Sequence, residues 1–136
     1  LGPGVYLRGP VIAGPGVVIG HGSEVKNSLL LDGAKAPHFN YVGDSILGPL
    51  AHLGAGAVLA NLRFDEKPVT LRLGSQSCLT KRRKVGAILG AGAQVGCNTV
   101  LNPGTLLPAC SWAASPSPGV KLRANAENGM PVKRQP

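Results

Sequence analysis

The sequence predicts an all-β protein, a left-handed parallel β-helix wound from six-residue repeats, and three observations predict it. Leu1, Leu7, Ala13, Ile19, Val25 and Leu31 step by six, and the step resumes at Leu47, Leu53, Leu59 and again at Leu89, Val95, Leu101, Leu107. Glycine often follows the aliphatic residue, as at Gly2, Gly14, Gly20, Gly48, Gly54, Gly90 and Gly96. The 20 glycines and 12 prolines would suggest disorder if scattered, yet many hold fixed offsets from the aliphatics. An amphipathic helix needs apolar spacings near three and four, so the period of six excludes it.

In such a solenoid the aliphatic residue of each hexad points into a narrow core. A small or branched residue four positions later (Val11, Val17, Ala57, Ala93, Thr99, Thr105) fills the same core, and glycines permit the corners. Three hexads make one triangular coil, giving room for roughly five or six coils. Coils of this type wind left-handed, against the usual crossover rule.

The frame breaks in two places. Leu31 and Leu47 are sixteen residues apart, so a slip is expected inside 32–46, which contains "KAPHFNYVGDS". Residues 65–84 lack glycine corners, and Val69, Leu71 and Leu73 alternate before a Gly-Ser pair; this predicts a protruding loop or hairpin of the kind that walls a site. The β-helix is assigned to 1–111, and 112–136 to a partial coil and basic tail.

Composition narrows the function classes. No apolar run approaches membrane-spanning length, no secretory signal opens the chain, and Cys78, Cys97 and Cys110 show no CxxC spacing, so a soluble cytoplasmic protein is expected. The formal charge of +8 points to anionic partners. Nucleic acid is disfavoured: aromatics make up 4% of residues and the basic residues are scattered, apart from the run Lys81–Lys84. The chain starts inside a repeat and its one methionine is Met130, so a piece of a longer protein is expected.

The stretches "SEVKNSLLLDGAKAPHFNYVGDSILG" and "HLGAGAVLANLRFDEKPV" resemble the acetyltransferase domain of the bifunctional N-acetylglucosamine-1-phosphate uridylyltransferase and glucosamine-1-phosphate acetyltransferase family. They look closest to the archaeal-type sugar-1-phosphate nucleotidylyltransferases that carry such a domain. The resemblance covers about Leu7 to Leu107, and K-A-x-H-x-x-Y-x-G-D is its specific part. It implies a homotrimer that binds an amino-sugar 1-phosphate and acetyl-CoA at the subunit boundary, with no metal required. It places the catalytic base at His38, a neighbouring carboxylate at Glu24 and an asparagine beside the acyl group at Asn61. Arg8, Lys26, Lys67 and Tyr41 fall on substrate contacts. Two positions depart from the bacterial pattern: Cys97 stands where a serine lies near the thioester, and His52 where a sugar-binding asparagine lies.

The chemistry of the residues points the same way. Acylating an amine needs its lone pair, hence a nearby base titrating close to neutrality, for which histidine is suited. A thioester is already activated, so no covalent enzyme nucleophile is required, and phosphates on both substrates call for Arg and Lys. Two other readings start from the same solenoid. Zinc-dependent carbonic anhydrases share the solenoid, but His21, His38 and His52 offer no closely spaced ligand pair. A non-catalytic trimerisation or regulatory domain of a nucleotidylyltransferase stays open. No G-x-G-T-R-like nucleotide loop occurs, so uridylyl transfer is expected to reside in an N-terminal nucleotidylyltransferase domain outside this chain.

Overall fold

The computed structural model describes residues 1–114. Strands of mostly two residues stack in parallel, coil upon coil, and define three faces. The first face stacks Ile19, Ala36, Leu53, Val95 and Ala113, and its sheet runs the length of the solenoid. On the second lie Leu7, Val25, Val42, Leu59 and Leu101. The third stacks Ala13, Leu30, Leu47, Leu89 and Leu107. The second and third faces count as one sheet because strands Tyr6–Ala13 and Glu24–Leu30 run continuously round the corner between them.

From the second coil on these inward residues form one core: Ile19, Val25, Leu30, Val42, Leu47, Leu53, Leu59 and Leu89 are all at most 1% exposed, whereas Leu7 and Ala13 of the first coil, expected in the core, are exposed. The second tier follows the hexads except at Thr105, which is only partly buried and donates its hydroxyl to Asn102 O. Ala57 and Ala93 are fully buried, Thr99 is 4% exposed, and Val11 and Val17 pack against the core from its edge.

The slip differs from the expectation. The second coil puts Leu30, not Leu31, into the core, and Leu31 is partly exposed. The missing residues leave in two single steps, one between Val25 and Leu30 and one between Val42 and Leu47, so the first lies ahead of 32–46. The first coil retains the full count, with Gly9 and Pro10 bulging opposite Asn27. At each shortened corner a serine replaces the lost backbone group. Ser28 Oγ donates to Lys26 O at 2.7 Å and accepts the Ser45 N–H at 3.0 Å; Ser45 Oγ donates to Gly43 O at 2.7 Å and accepts the Ala87 N–H at 3.0 Å. A hydroxyl both donates and accepts, so one side chain satisfies two buried backbone groups that the shorter turn would orphan.

The predicted projection is an antiparallel hairpin of Thr70–Leu73 and Gln76–Leu79 turning at Gly74 and Ser75, its base closed by the pairing of Leu62 with Lys84. Val69, 1% exposed, anchors it to the last coil at Gly104, where a Cβ would lie 2.7 Å from the Val69 methyl. The first face continues through strand Trp112–Ala113; the tail assigned from the sequence lies, beyond residue 114, outside the described residues. Among the described residues no helix is long and apolar enough to cross a membrane.

Candidate active site

Alternation along a strand fixes what faces outward. On the second face the position before each core residue carries Tyr6, Glu24 and Tyr41 in successive coils, and the position after it carries Arg8, Lys26 and Gly43. Residues 16 to 18 apart in the chain are therefore neighbours across one coil, about 4.8 Å away. Arg8 Nη1 donates to Glu24 Oε1 at 2.8 Å, and its guanidinium lies 6.0 Å from the Tyr6 ring centre. Both Arg8 and Glu24 are well exposed, so water screens their attraction.

The next coil down is more enclosed. Lys26 Nζ donates to Asp44 Oδ2 at 3.1 Å, with the two side chains 13% and 18% exposed. The Asp44 carboxylate also accepts the side-chain amides of Asn61, on Oδ2, and Asn27, on Oδ1 at 3.3 Å. Burial is the largest single influence on Asp44 and pushes its carboxyl upward; hydrogen bonds from Asn61, Lys26 and Asn27, with the Lys26 charge, together outweigh it and hold the group below its ordinary value. Asp44 has φ of 46°, a left-handed conformation that aspartate tolerates, at the second shortened corner. Gly43 completes the arrangement by lacking a side chain: a Cβ there would lie 2.7 Å from both Asn61 Nδ2 and Tyr41 Oη, so these two converge on the space above it.

His38 stands at the corner between the first and second faces, exposed, with its backbone fixed by the N–H to Asn40 Oδ1 (3.1 Å) and by its carbonyl accepting the Gly56 N–H (3.0 Å). Asn40, 2% exposed, donates in turn to Gly54 O at 2.7 Å, so the corner is braced from the coil below. The stacked bonds Phe39 N to His21 O, Gly56 N to His38 O and Asn98 N to Ala55 O align His21, His38, Ala55 and Cys97 in one corner column. Cys97, also exposed, thus lies two coils from His38, about 10 Å along the axis.

Arg8, Glu24, Lys26, Tyr41 and Asn61 therefore share one face, with His38 and Cys97 along its edge. His52 is on the first face, between Lys35 and Gln94, across the corner from Tyr41. Lys67 is on the loop entry, its N–H donated to Asp65 Oδ1 at 3.3 Å; the two-pronged Arg63–Asp65 pair at 2.8 and 2.7 Å stiffens that turn and holds the Asp65 carboxyl far below the usual carboxylate range. Sequence reasoning gave no role to Asp44, although it closes the quoted motif. An aspartate after glycine reads as a turn former, and its three partners come together only once the coil length is known.

The site is an open face, not a cleft. A groove of about 530 Å³ lies round the next corner, between Ile12, Leu29 and Ile46 on one side and Arg82 and Lys84 at the loop base on the other; of the cluster, Asp44 and Asn27 border it.

A parallel β-helix of hexad coils with a polar, cation-bearing face beside an exposed histidine defines the class: a hexapeptide-repeat protein equipped with a site. Its kinship is narrower. The chain is 41% identical over 108 residues to a bifunctional sugar-1-phosphate nucleotidylyltransferase/acetyltransferase of Sulfurisphaera tokodaii, covering 79% of this chain and 27% of that protein. It is 38% identical over 104 residues to the bifunctional protein GlmU of Methanococcus vannielii (76% and 25%) and 36% identical over 111 residues to that of Methanocaldococcus jannaschii (82% and 27%). The chain is thus related in sequence to the archaeal-type bifunctional nucleotidylyltransferase/acetyltransferases, and spans about a quarter of the length of these relatives. No family model matches it.

Proposed function

We propose that the chain carries the acetyl-transfer site of such a bifunctional protein and moves acetyl from acetyl-CoA to the amine of an amino-sugar 1-phosphate, glucosamine-1-phosphate in the first instance. One observation carries the reading: Arg8, Glu24, Lys26, Tyr41 and Asn61, separated by up to 53 residues in sequence, are gathered on one face beside His38.

In the proposed reaction His38 accepts a proton from the sugar ammonium, and the freed lone pair attacks the thioester carbonyl. The tetrahedral adduct gives up the extra proton on its nitrogen and collapses to the amide with loss of the coenzyme A thiolate, which takes up that proton. Lys26 keeps two N–H donors beyond the one given to Asp44, and Arg8 keeps those not given to Glu24, so both can hold phosphate without surrendering their carboxylates. The small residues Ala55 and Cys97 leave an unobstructed corner along the axis from His38, a path suited to the thin acyl arm of coenzyme A. Cys97 serves there as a small residue lining that path. Its nearest histidine in the column is two coils away, and nothing activates it as a nucleophile.

An open face needs a second wall to exclude water. We propose that another copy supplies it in a homotrimer, bringing His52 and Lys67, which this chain holds off the shared face, to a neighbour's site. Support comes from the third face, whose outward positions are Ile12, Leu29, Ile46, Ile88 and Leu106. Ile12 is 66% and Ile46 38% exposed, an aliphatic ladder that a soluble protein covers. Nucleotidyl transfer is assigned to parts of a longer protein outside these coils.

The test is thiol release from acetyl-CoA across a panel of amino-sugar 1-phosphates. Stoichiometric thiol with glucosamine-1-phosphate, and none with glucose-1-phosphate, is expected. A panel that is inactive throughout, with the protein trimeric, would leave the trimerisation reading in its place.

A further inference from the structure

Asparagine amides are ambiguous in orientation, because oxygen and nitrogen can exchange places. At Asn61 chemistry removes the ambiguity. An ionised carboxylate only accepts hydrogen bonds, so the Asn61 atom on Asp44 Oδ2 has to be the nitrogen. Lys26 on the same oxygen and Asn27 on the other keep the carboxylate ionised and fixed in place. Asn61 is 9% exposed; its nitrogen lies against Asp44 and beside Tyr41 above Gly43, which leaves the oxygen as the branch of the amide that Asp44 does not engage.

We propose that Asp44 is a positioning residue: by engaging the nitrogen of Asn61 it makes the amide oxygen the group that Asn61 presents, as an acceptor for an N–H of the substrate amine. This rests on the acetyl-transfer reading and refines it. An amide oxygen stabilises the ammonium and then aims the remaining N–H bonds of the neutral amine, leaving its lone pair free to attack. Presented the other way, the amide nitrogen would point a donor at that lone pair and compete with the attack. Asp44 accomplishes this without touching substrate, and Lys26 and Asn27 supply the anchorage.

The test is a double-mutant cycle on the full chain, built with the isosteric Asp44→Asn, which folds in the same shape but lets position 44 donate as well as accept. Asp44→Asn is expected to lower kcat/KM for glucosamine-1-phosphate by about tenfold when Asn61 is present, and by less than about twofold in an Asn61→Ala background, because residues acting through one another are not additive. An equal drop in both backgrounds, or none in either, would overturn the proposal. A second readout needs no activity: the nitrogen-15 side-chain amide resonances of Asn61 in the unliganded protein should shift and exchange faster with solvent in Asp44→Asn, and unchanged resonances would equally overturn it. Wild-type protein that transfers no acetyl while Asn61 still responds to Asp44→Asn would refute the acetyl-transfer reading and not the orientation.

Discussion

At the scale of single residues, the proposed reaction gives His38 the proton transfer and Asp44 the placement. His38 is exposed, its corner being held through backbone and Asn40 bonds. His38→Ala is therefore expected to leave the melting temperature unchanged and to lower kcat by about a hundredfold or more, the usual contribution of a general base; melting curves and steady-state rates on one preparation check both halves. Asp44 has a pH signature. Its folded carboxyl titrates below its unfolded value, so the stability it supplies is complete above the unfolded value and is lost as pH falls through the folded one. The difference in melting temperature between wild type and Asp44→Ala should be clear at pH 7 and vanish on acidification below the usual carboxylate range. A gap independent of pH would mean that its charge contributes nothing.

Elements show how far the sequence could be read. The hexads disclosed the coils, the core and the hairpin, because one aliphatic residue per face is what a narrow solenoid demands. They placed one step of the slip and missed the other for a definite reason: Leu29, Leu30 and Leu31 are consecutive, so the frame advances by one there with no visible change, and the serine that repairs the corner looks like any loop serine. The resemblance named the site residues, but Arg8 facing Glu24 and Asp44 linking Lys26 to Asn61 depend on coils of 18 and 17 residues that only the register reveals. Two glycines separate fold from site. A Cβ on Gly20 would lie 1.7 Å from the Pro37 carbonyl oxygen, backbone that cannot yield without opening the corner below His21. Gly20→Ala should cost about 1–3 kcal/mol or more, as overpacking does. A Cβ on Gly43 meets only the ends of Tyr41 and Asn61, which can move, so Gly43→Ala should fold normally and raise KM for the sugar phosphate several-fold. Chemical denaturation and kinetics of the two variants distinguish these outcomes.

For the whole molecule, the three faces differ in outward chemistry: the first carries Val18, Lys35, His52, Gln94 and Trp112, the second the candidate site, and the third aliphatics throughout. Only the third lacks an evident use in a single copy, and the proposed closed ring of three would cover it once per subunit. Light scattering at micromolar concentration should give three times the monomer mass, and Ile46→Asp, which puts a charge in the centre of the ladder, should yield monomers that have lost activity with the coils intact. An active monomer would show that the second wall is dispensable.

The most direct measurement follows the acetyl group itself. Acetyl-CoA labelled with carbon-13 in the acetyl carbonyl is incubated with glucosamine-1-phosphate, and the product is read by NMR and mass spectrometry against the thiol released. The site geometry predicts label in an amide on the sugar nitrogen, one thiol per amide, and loss of the product with His38→Ala; wild-type trimer that forms no amide, or His38→Ala that forms it at the same rate, would contradict it.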